Sequence, residues 1–258
     1  MSKIAKAFQN KKSLVIFITG GDPDIETTEM LIPILAESGA DLIEIGIPFS
    51  DPIAEGSVIQ AASKRALESG TTTDKLLEML ARVRRNVQIP LLFMTYLNPI
   101  YVYGKERFLS ACCDSGVDGV IVPDMPFEEK GELSGDCAKF GIDLISMVAP
   151  TSNERIAMIA QEAKGFLYCV SSLGVTGMRS EINVDIEKVV AQAKKFTGIP
   201  CVIGFGISTP NQARGMARFA DGVIVGSAVV KIIAEHGREC IDPVKQFIKE
   251  MKNAMEDV

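Results

Sequence analysis

Eight short apolar runs, rich in β-branched residues, alternate along this chain with stretches of helical periodicity. The runs are Leu14–Thr19, Asp41–Gly46, Pro90–Tyr96, Gly119–Pro123, Asp143–Val148, Phe166–Ser171, Pro200–Gly204 and Gly222–Val225. Most are near-continuously apolar, as strands are when both faces of a parallel sheet are covered by helices. Between them, Ile25–Ser38 carries Met30, Leu31, Ile34 and Leu35 at helical spacing. Leu76–Arg84, Glu106–Ser115, Glu128–Phe140, Glu154–Lys164, Asp185–Phe196 and Asn211–Phe219 follow the same logic, and Thr209-Pro210 supplies a polar cap followed by a first-turn proline. Eight β-α units in 258 residues predict an α/β chain, a closed (β/α)8 barrel of the TIM type, with residues 1–258 forming a single domain. The alternative is an open doubly wound sheet. Its Gly-x-Gly-x-x-Gly after the first strand is missing, because Thr19-Gly20-Gly21-Asp22-Pro23 stands there.

Charge and composition exclude several classes of function. Lys plus Arg number 27 against 33 Asp plus Glu, a formal charge of −6, so nothing pulls the chain toward nucleic acid or an anionic membrane. Any phosphate must be held by a local site. The six cysteines show no Cys-x-x-Cys spacing and read as buried free thiols of a cytoplasmic protein. Lys3, Lys6, Lys11 and Lys12 precede Leu14–Ile18, but that run is short and Gly20-Gly21-Asp22-Pro23 follows it, so it reads as a first strand rather than a secretion signal. No apolar stretch approaches the roughly 18 residues of a membrane span. The only histidine, His236, falls late in the chain on a surface helix or loop, which disfavours Ser-His or His-rich metal catalysis, and no metal is expected. Lysines are sparse at the strand ends, which argues against Schiff-base chemistry.

In a closed barrel the chemistry belongs at the C-terminal strand ends and the loops after them. The segment Leu42–Gly56 is the most informative there. Glu44 sits inside an apolar strand, with Ile43 and Ile45 on the opposite face. A buried carboxylate needs a partner or its pKa rises, and a raised pKa suits proton exchange near neutral pH. Glu44 is therefore either a paired core glutamate or a general acid/base. On the following loop, Asp51 reads as a turn residue bonding nearby amides. Glu55 reads as a solvated loop charge, a reading weakened by the apolar Ile53-Ala54 beside it.

Three glycine-containing turns follow the last three strands: Gly174-Val175-Thr176-Gly177, Gly204-Phe205-Gly206 and Gly226-Ser227. Any one of them is an ordinary tight turn. Together, at these strand ends, they fit the phosphate site frequent in such barrels, where glycine lets main-chain N–H groups approach an anion. Ser227 opens a candidate helix, Ala228–Ala234, whose N-terminus favours negative charge.

The run Glu44–Gly56 resembles the signature of tryptophan synthase alpha chains, Glu-x-Gly-x-Pro-Phe-Ser-Asp-Pro-x-Ala-Asp/Glu-Gly. The resemblance extends in order to Thr19–Pro23, Met94-Thr95-Tyr96-Leu97-Asn98-Pro99, Pro123-Asp124-Met125-Pro126, Gly174–Gly177 and Gly204-Phe205-Gly206-Ile207-Ser208. It implies a lyase of tryptophan biosynthesis that cleaves indole-3-glycerol phosphate by a retro-aldol step. It places the acid/base on Glu44, the carboxylate that binds the indole N–H on Glu55, and a tyrosine lining the site on Tyr168, which would otherwise be a core aromatic. Phosphate contacts fall on Gly177, Phe205, Gly206, Gly226 and Ser227, and the apolar strand ends, Phe17 among them, would shelter the ring. The resemblance also implies an α2β2 assembly. Loops 48–55 and 98–103, with Pro48, Asp51 and Asn98, would contact the beta chain, and pyridoxal phosphate would belong to that partner alone. Three positions depart from the common pattern: Glu55 for Asp, Ser57 for Pro, and Ser172-Leu173 for Arg-Ala. Two other readings stay open: a sugar-phosphate enzyme on a similar barrel, and a catalytically weakened barrel that chiefly activates a beta partner.

Overall fold

The computed structural model describes residues 2–170, 185–204, 206–256 and 258. Eight strands close into a barrel in sequence order: β1 (Ser13–Thr19), β2 (Leu42–Gly46), β3 (Leu91–Met94), β4 (Gly119–Ile121), β5 (Asp143–Val148), β6 (Leu167–Val170), β7 (Cys201–Gly204) and β8 (Gly222–Val225). Every pairing is parallel, and β1 closes on β8. The helices are α1 (Lys3–Lys6), α2 (Ile25–Glu37), α3 (Ser57–Glu68), α4 (Thr73–Val83), α5 (Leu97–Tyr103), α6 (Lys105–Asp114), α7 (Gly131–Lys139), α8 (Asn153–Glu162), α9 (Asp185–Ala193), α10 (Pro210–Ala217), α11 (Ser227–His236) and α12 (Ile241–Asn253). No helix among the described residues is long and apolar enough to cross a membrane.

The eight expected strands are all present, and several are shorter than the apolar runs. β3 spans Leu91–Met94 rather than Pro90–Tyr96, and β4 stops at Ile121 rather than Pro123. Proline has no N–H to give a ladder, which bars Pro90 and Pro123 from donating to it. Four helices lay outside the periodicity reading: α1, α3, α5 and α12. The segment 98–103, read as a loop, lies in α5.

Alternation along each strand separates two cores. Ile16, Ile18, Ile43, Ile45, Phe93 and Ile203 face outward into the layer shared with the helices. Val15, Leu42, Leu92, Ile121, Ile145, Tyr168, Val202 and Ile224 fill the barrel interior. The N-terminal end of the interior is plugged by α1 and the residues after it. Ile4 and Phe8 join the inner cluster, and the Phe8 and Phe166 rings lie 5.6 Å apart.

At that end a single device recurs. Asp41, Asp118 and Asp221 each stand just before a strand, and each accepts from the first amides of the neighbouring one: Leu14 (2.8 Å), Leu91 (2.9 Å) and Cys201 (2.8 Å). Each also meets a cation, Lys252 at 2.6 Å, Arg84, and Lys194 at 2.8 Å respectively. These carboxylates cap the strand starts whose N–H groups have no ladder partner below them. Asp41→Ala would strand the Leu14 N–H and the largely buried Lys252. We expect a loss of about 2–4 kcal/mol in urea unfolding, with the chemistry at the opposite end of the barrel unchanged.

Candidate active site

At the C-terminal mouth, Glu44 sits on the interior face of β2. Its neighbours in the ladder are Phe17 of β1 and Leu92 of β3. The carboxyl is fully buried, and neither oxygen has a hydrogen-bond partner. Burial alone pushes its pKa up to about 8, so Glu44 is a neutral acid at pH 7. Tyr168 is buried on the interior face of β6, close enough for the Glu44 charge to act on its hydroxyl.

Glu55 lies on the segment between β2 and α3 and is also buried. Burial raises its pKa to about 7, opposed by a hydrogen bond with the Tyr96 hydroxyl. That hydroxyl also accepts from the Ala54 N–H at 3.0 Å. Tyr96 precedes α5, and its ring lies 5.4 Å from Phe49. One tyrosine therefore joins the segments after β2 and β3 and orients Glu55. The sequence quotes Tyr96 within a motif, but nothing in its spacing reveals this role.

A cavity of about 690 Å³, counting space open to solvent, occupies the mouth. Phe17, Glu55, Ile59, Met94, Met147, Tyr168 and Ile224 line its apolar part, and Gly206, Gly226 and Ser227 line the other side. The structure thus brings together seven of the residues marked in the sequence or by its resemblance: Phe17, Glu55, Tyr168, Gly206, Gly226 and Ser227 line the mouth cavity, and Glu44 is buried beside Phe17 in the wall. Gly177, Phe205 and the Ser172-Leu173 departure lie outside the described residues.

On the glycine side, Gly226 caps α11 without any side-chain hydrogen bond, and Ser227 is the first residue of that ten-residue helix. The first N–H groups of a helix have no partner within it and carry partial positive charge, so this end suits an anion. Gly206 holds φ +79°, a conformation that side chains rarely adopt.

Two glycines of the quoted motifs seat the aromatic walls, a role their motifs do not reveal. A Cβ at Gly46 would lie 2.7 Å from the Phe17 ring, and one at Gly204 would lie 2.3 Å from the Tyr168 hydroxyl.

Of the residues expected at a partner face, Asp51 and Asn98 are exposed, but Pro48 is buried in its own chain and is not available to a partner. The same two segments also carry exposed apolar residues, Ile53 (74% exposed), Tyr101 and Val102 (80%). His236 is exposed at the end of α11. All six cysteines are free thiols, and five are buried; Cys113 is the exposed one.

Residues 4–257 match the family model described as tryptophan synthase alpha chain. The chain belongs to the tryptophan synthase alpha chain family. A curated member from Geobacter sulfurreducens is 47% identical, covering 99% of this chain and 99% of its own length. One from Lacticaseibacillus casei is 43% identical, covering 99% and 96%. Among solved structures, the tryptophan synthase alpha subunit of Legionella pneumophila is 38% identical with a TM-score of 0.92, covering all of both chains. A structure of the tryptophan synthase α2β2 complex of Pyrococcus furiosus contains a chain that is 36% identical with a TM-score of 0.87, covering 94% of this chain and 98% of that one. The likeness spans the eight-stranded barrel as well as the mouth.

Because the Tyr96 hydrogen bond favours the ionised form of Glu55, removing it moves the titration upward. In a Tyr96→Phe variant, carboxyl-carbon NMR should show Glu55 titrating above the parent value of about 7. An unchanged or lower midpoint would contradict this role for Tyr96.

Proposed function

We propose that the whole chain acts as one catalytic barrel that cleaves indole-3-glycerol phosphate to indole and glyceraldehyde 3-phosphate, the alpha reaction of tryptophan biosynthesis. The observation that carries this reading is the pairing of an unpartnered, inward-facing Glu44 with a cavity that is apolar on one side and opens onto the amide end of α11 on the other. The indole ring fits between Phe17, Ile59, Met94 and Tyr168, and the phosphate rests at Gly206, Gly226 and Ser227. Gly177 and Phe205 are assigned to the same anion by resemblance.

The chemistry follows from the protonation states. Neutral Glu44 donates a proton to indole C3, which becomes tetrahedral, and positive charge develops at the ring nitrogen. Ionised Glu55 accepts the N–H hydrogen bond and balances that charge. The bond between C3 and the glycerol carbon then breaks, and its electron pair restores the aromatic ring. The hydroxyl on that carbon becomes the aldehyde and returns its proton to Glu44. One proton leaves Glu44 and one comes back, so the residue ends as it began. The reading assigns no cofactor to this chain and leaves pyridoxal phosphate to a beta chain partner. The apolar strand ends disfavour a sugar-phosphate substrate without an aromatic group.

Replacing Glu44 by Gln should lower kcat for indole release by about 10²–10⁴-fold with little change in KM, measured by a coupled indole assay. Parent-like turnover would remove Glu44 from the acid/base role. The same variant checks the burial. The folded-state pKa of about 8 lies above the ordinary glutamate value of 4.5, so the parent loses stability as pH rises through that interval. The Gln variant should therefore gain on the parent by roughly 3–5 kcal/mol between pH 4.5 and 8.

The exposed Ile53, Tyr101 and Val102 beside the mouth fit docking of a beta chain in a cytoplasmic α2β2 complex. Adding a beta chain should raise the rate of indole formation. An unchanged rate at saturating beta chain would count against that partnership.

A further inference from the structure

The barrel wall is incomplete between β4 and β5. Their ladder ends at the Ile121–Ile145 rung, while β5 runs on against β6 through Val148. Beyond Ile121 the next residues are Val122 and Pro123, and Pro123 has no amide to continue the ladder. Met125 N–H instead donates to the Val122 carbonyl at 3.2 Å and turns the chain away.

The outside of the same strand is poorly covered. Of its outward-facing residues Leu144, Ser146 and Val148, the first two are half-buried, whereas β1, β2, β4, β6, β7 and β8 are buried throughout. The cause is a gap in the helical layer. α7 packs on α6 and α8 packs on α9, but α7 and α8 scarcely meet. Ser134 and Gly135 keep the flank of α7 small, and a Cβ at Gly135 would touch nothing within 4 Å.

The gap forms a cleft of about 1040 Å³, counting its open space. Met125, Phe127, Leu144 and Ile159 supply apolar walls, and the Ser134 and Ser146 hydroxyls are its uncharged polar side chains. At its rim Lys130 lies 4.3 Å over the Phe127 ring and pairs with Glu162. That pair bridges α7 and α8, and an exposed pair of this kind holds the rim shut by only about 0–1 kcal/mol. Pro123 and Met147 line both this cleft and the mouth cavity. These two side chains are common walls of the two spaces, and the methionine is flexible.

We propose that this lateral cleft is a second binding site, for a small neutral aromatic heterocycle with one N–H donor, fed from the mouth cavity past Met147. The product indole has this chemistry, so the identity of the ligand rests on the functional reading above. The apolar walls accept a planar ring and a serine hydroxyl accepts its N–H, while the charged side chains of the lining are Lys130, paired with Glu162, and Lys164. The phosphorylated product would stay at the opposite side of the mouth, by α11.

The test is NMR with methyl-labelled protein, with a non-cleavable indolylalkyl phosphate saturating the mouth cavity and indole titrated to its solubility limit. Contacts from indole to the Met125 and Ile159 methyls are expected. Ile59, which lines only the mouth cavity, reports the phosphate compound. Ser146→Ile and Ser134→Leu each fill the cleft without touching the mouth. Loss of the indole contacts in either variant, with the Ile59 contacts retained, supports the site. Absence of contacts at Met125 and Ile159 in the parent, or their persistence in both variants, overturns it. Failure of the indolylalkyl phosphate to reach Ile59 counts against the functional reading alone, because indole added by itself still reports on the cleft.

Discussion

Closure of the parallel ladder forces the rest of this structure. Once eight strands join edge to edge, each side chain has two choices, the helical layer or the barrel interior, and they alternate. Glu44 lands inside because Ile43 and Ile45 are claimed by the outer layer, and a one-residue slip of β2 would move all three to the wrong face. The interior below Glu44 is filled by Val15, Leu42, Ile145, Phe166 and the α1 plug, so no water-filled channel reaches it from the other end. The carboxyl is therefore held neutral by the same packing that stabilises the barrel.

The two ends of the barrel use carboxylates in opposite ways. Asp41, Asp118 and Asp221 each have an amide and a cation as partners, and they tie strand starts together. Glu44 has no partner, and Glu55 has a tyrosine hydroxyl in place of a cation. Groups of like chemistry are thus separated by surroundings into structural anions at one end and proton-exchanging acids at the other.

Much of this was legible in sequence. Continuous apolar runs gave eight strands because both faces of each are covered, and Glu44 stood out because it interrupts one of them. What was illegible depends on long-range neighbours. α1 is four residues long, too short for periodicity to register. In α3 the buried Ile59, Ala62, Ser63 and Ala66 are mostly small, so its apolar face is faint. Gly46 and Gly204 are required by rings on adjacent strands, and no local pattern reports which ring stands next door. The link from Tyr96 to Glu55 joins segments after two different strands and exists only once β2 and β3 lie side by side.

The distribution of charge in the mouth explains why a neutral Glu44 is useful there. A phosphate group carries close to two negative charges near neutral pH, and a second fixed anion in the same low-dielectric cavity would repel it. Ionised partners for Glu44, such as a lysine, would relieve its burial but would also hold it permanently as a carboxylate, unable to donate. Leaving it unpartnered keeps its proton in place and leaves Glu55 to carry the negative charge on the aromatic side. The ligand then brings its own negative charge to the one place prepared for it, the amide end of α11 beside Gly226 and Ser227. The cost of burying Glu44 without a partner and the capacity of α11 to hold an anion are thus two halves of one arrangement: the first keeps Glu44 protonated beside the ring, and the second draws the ligand's own negative charge to the other side.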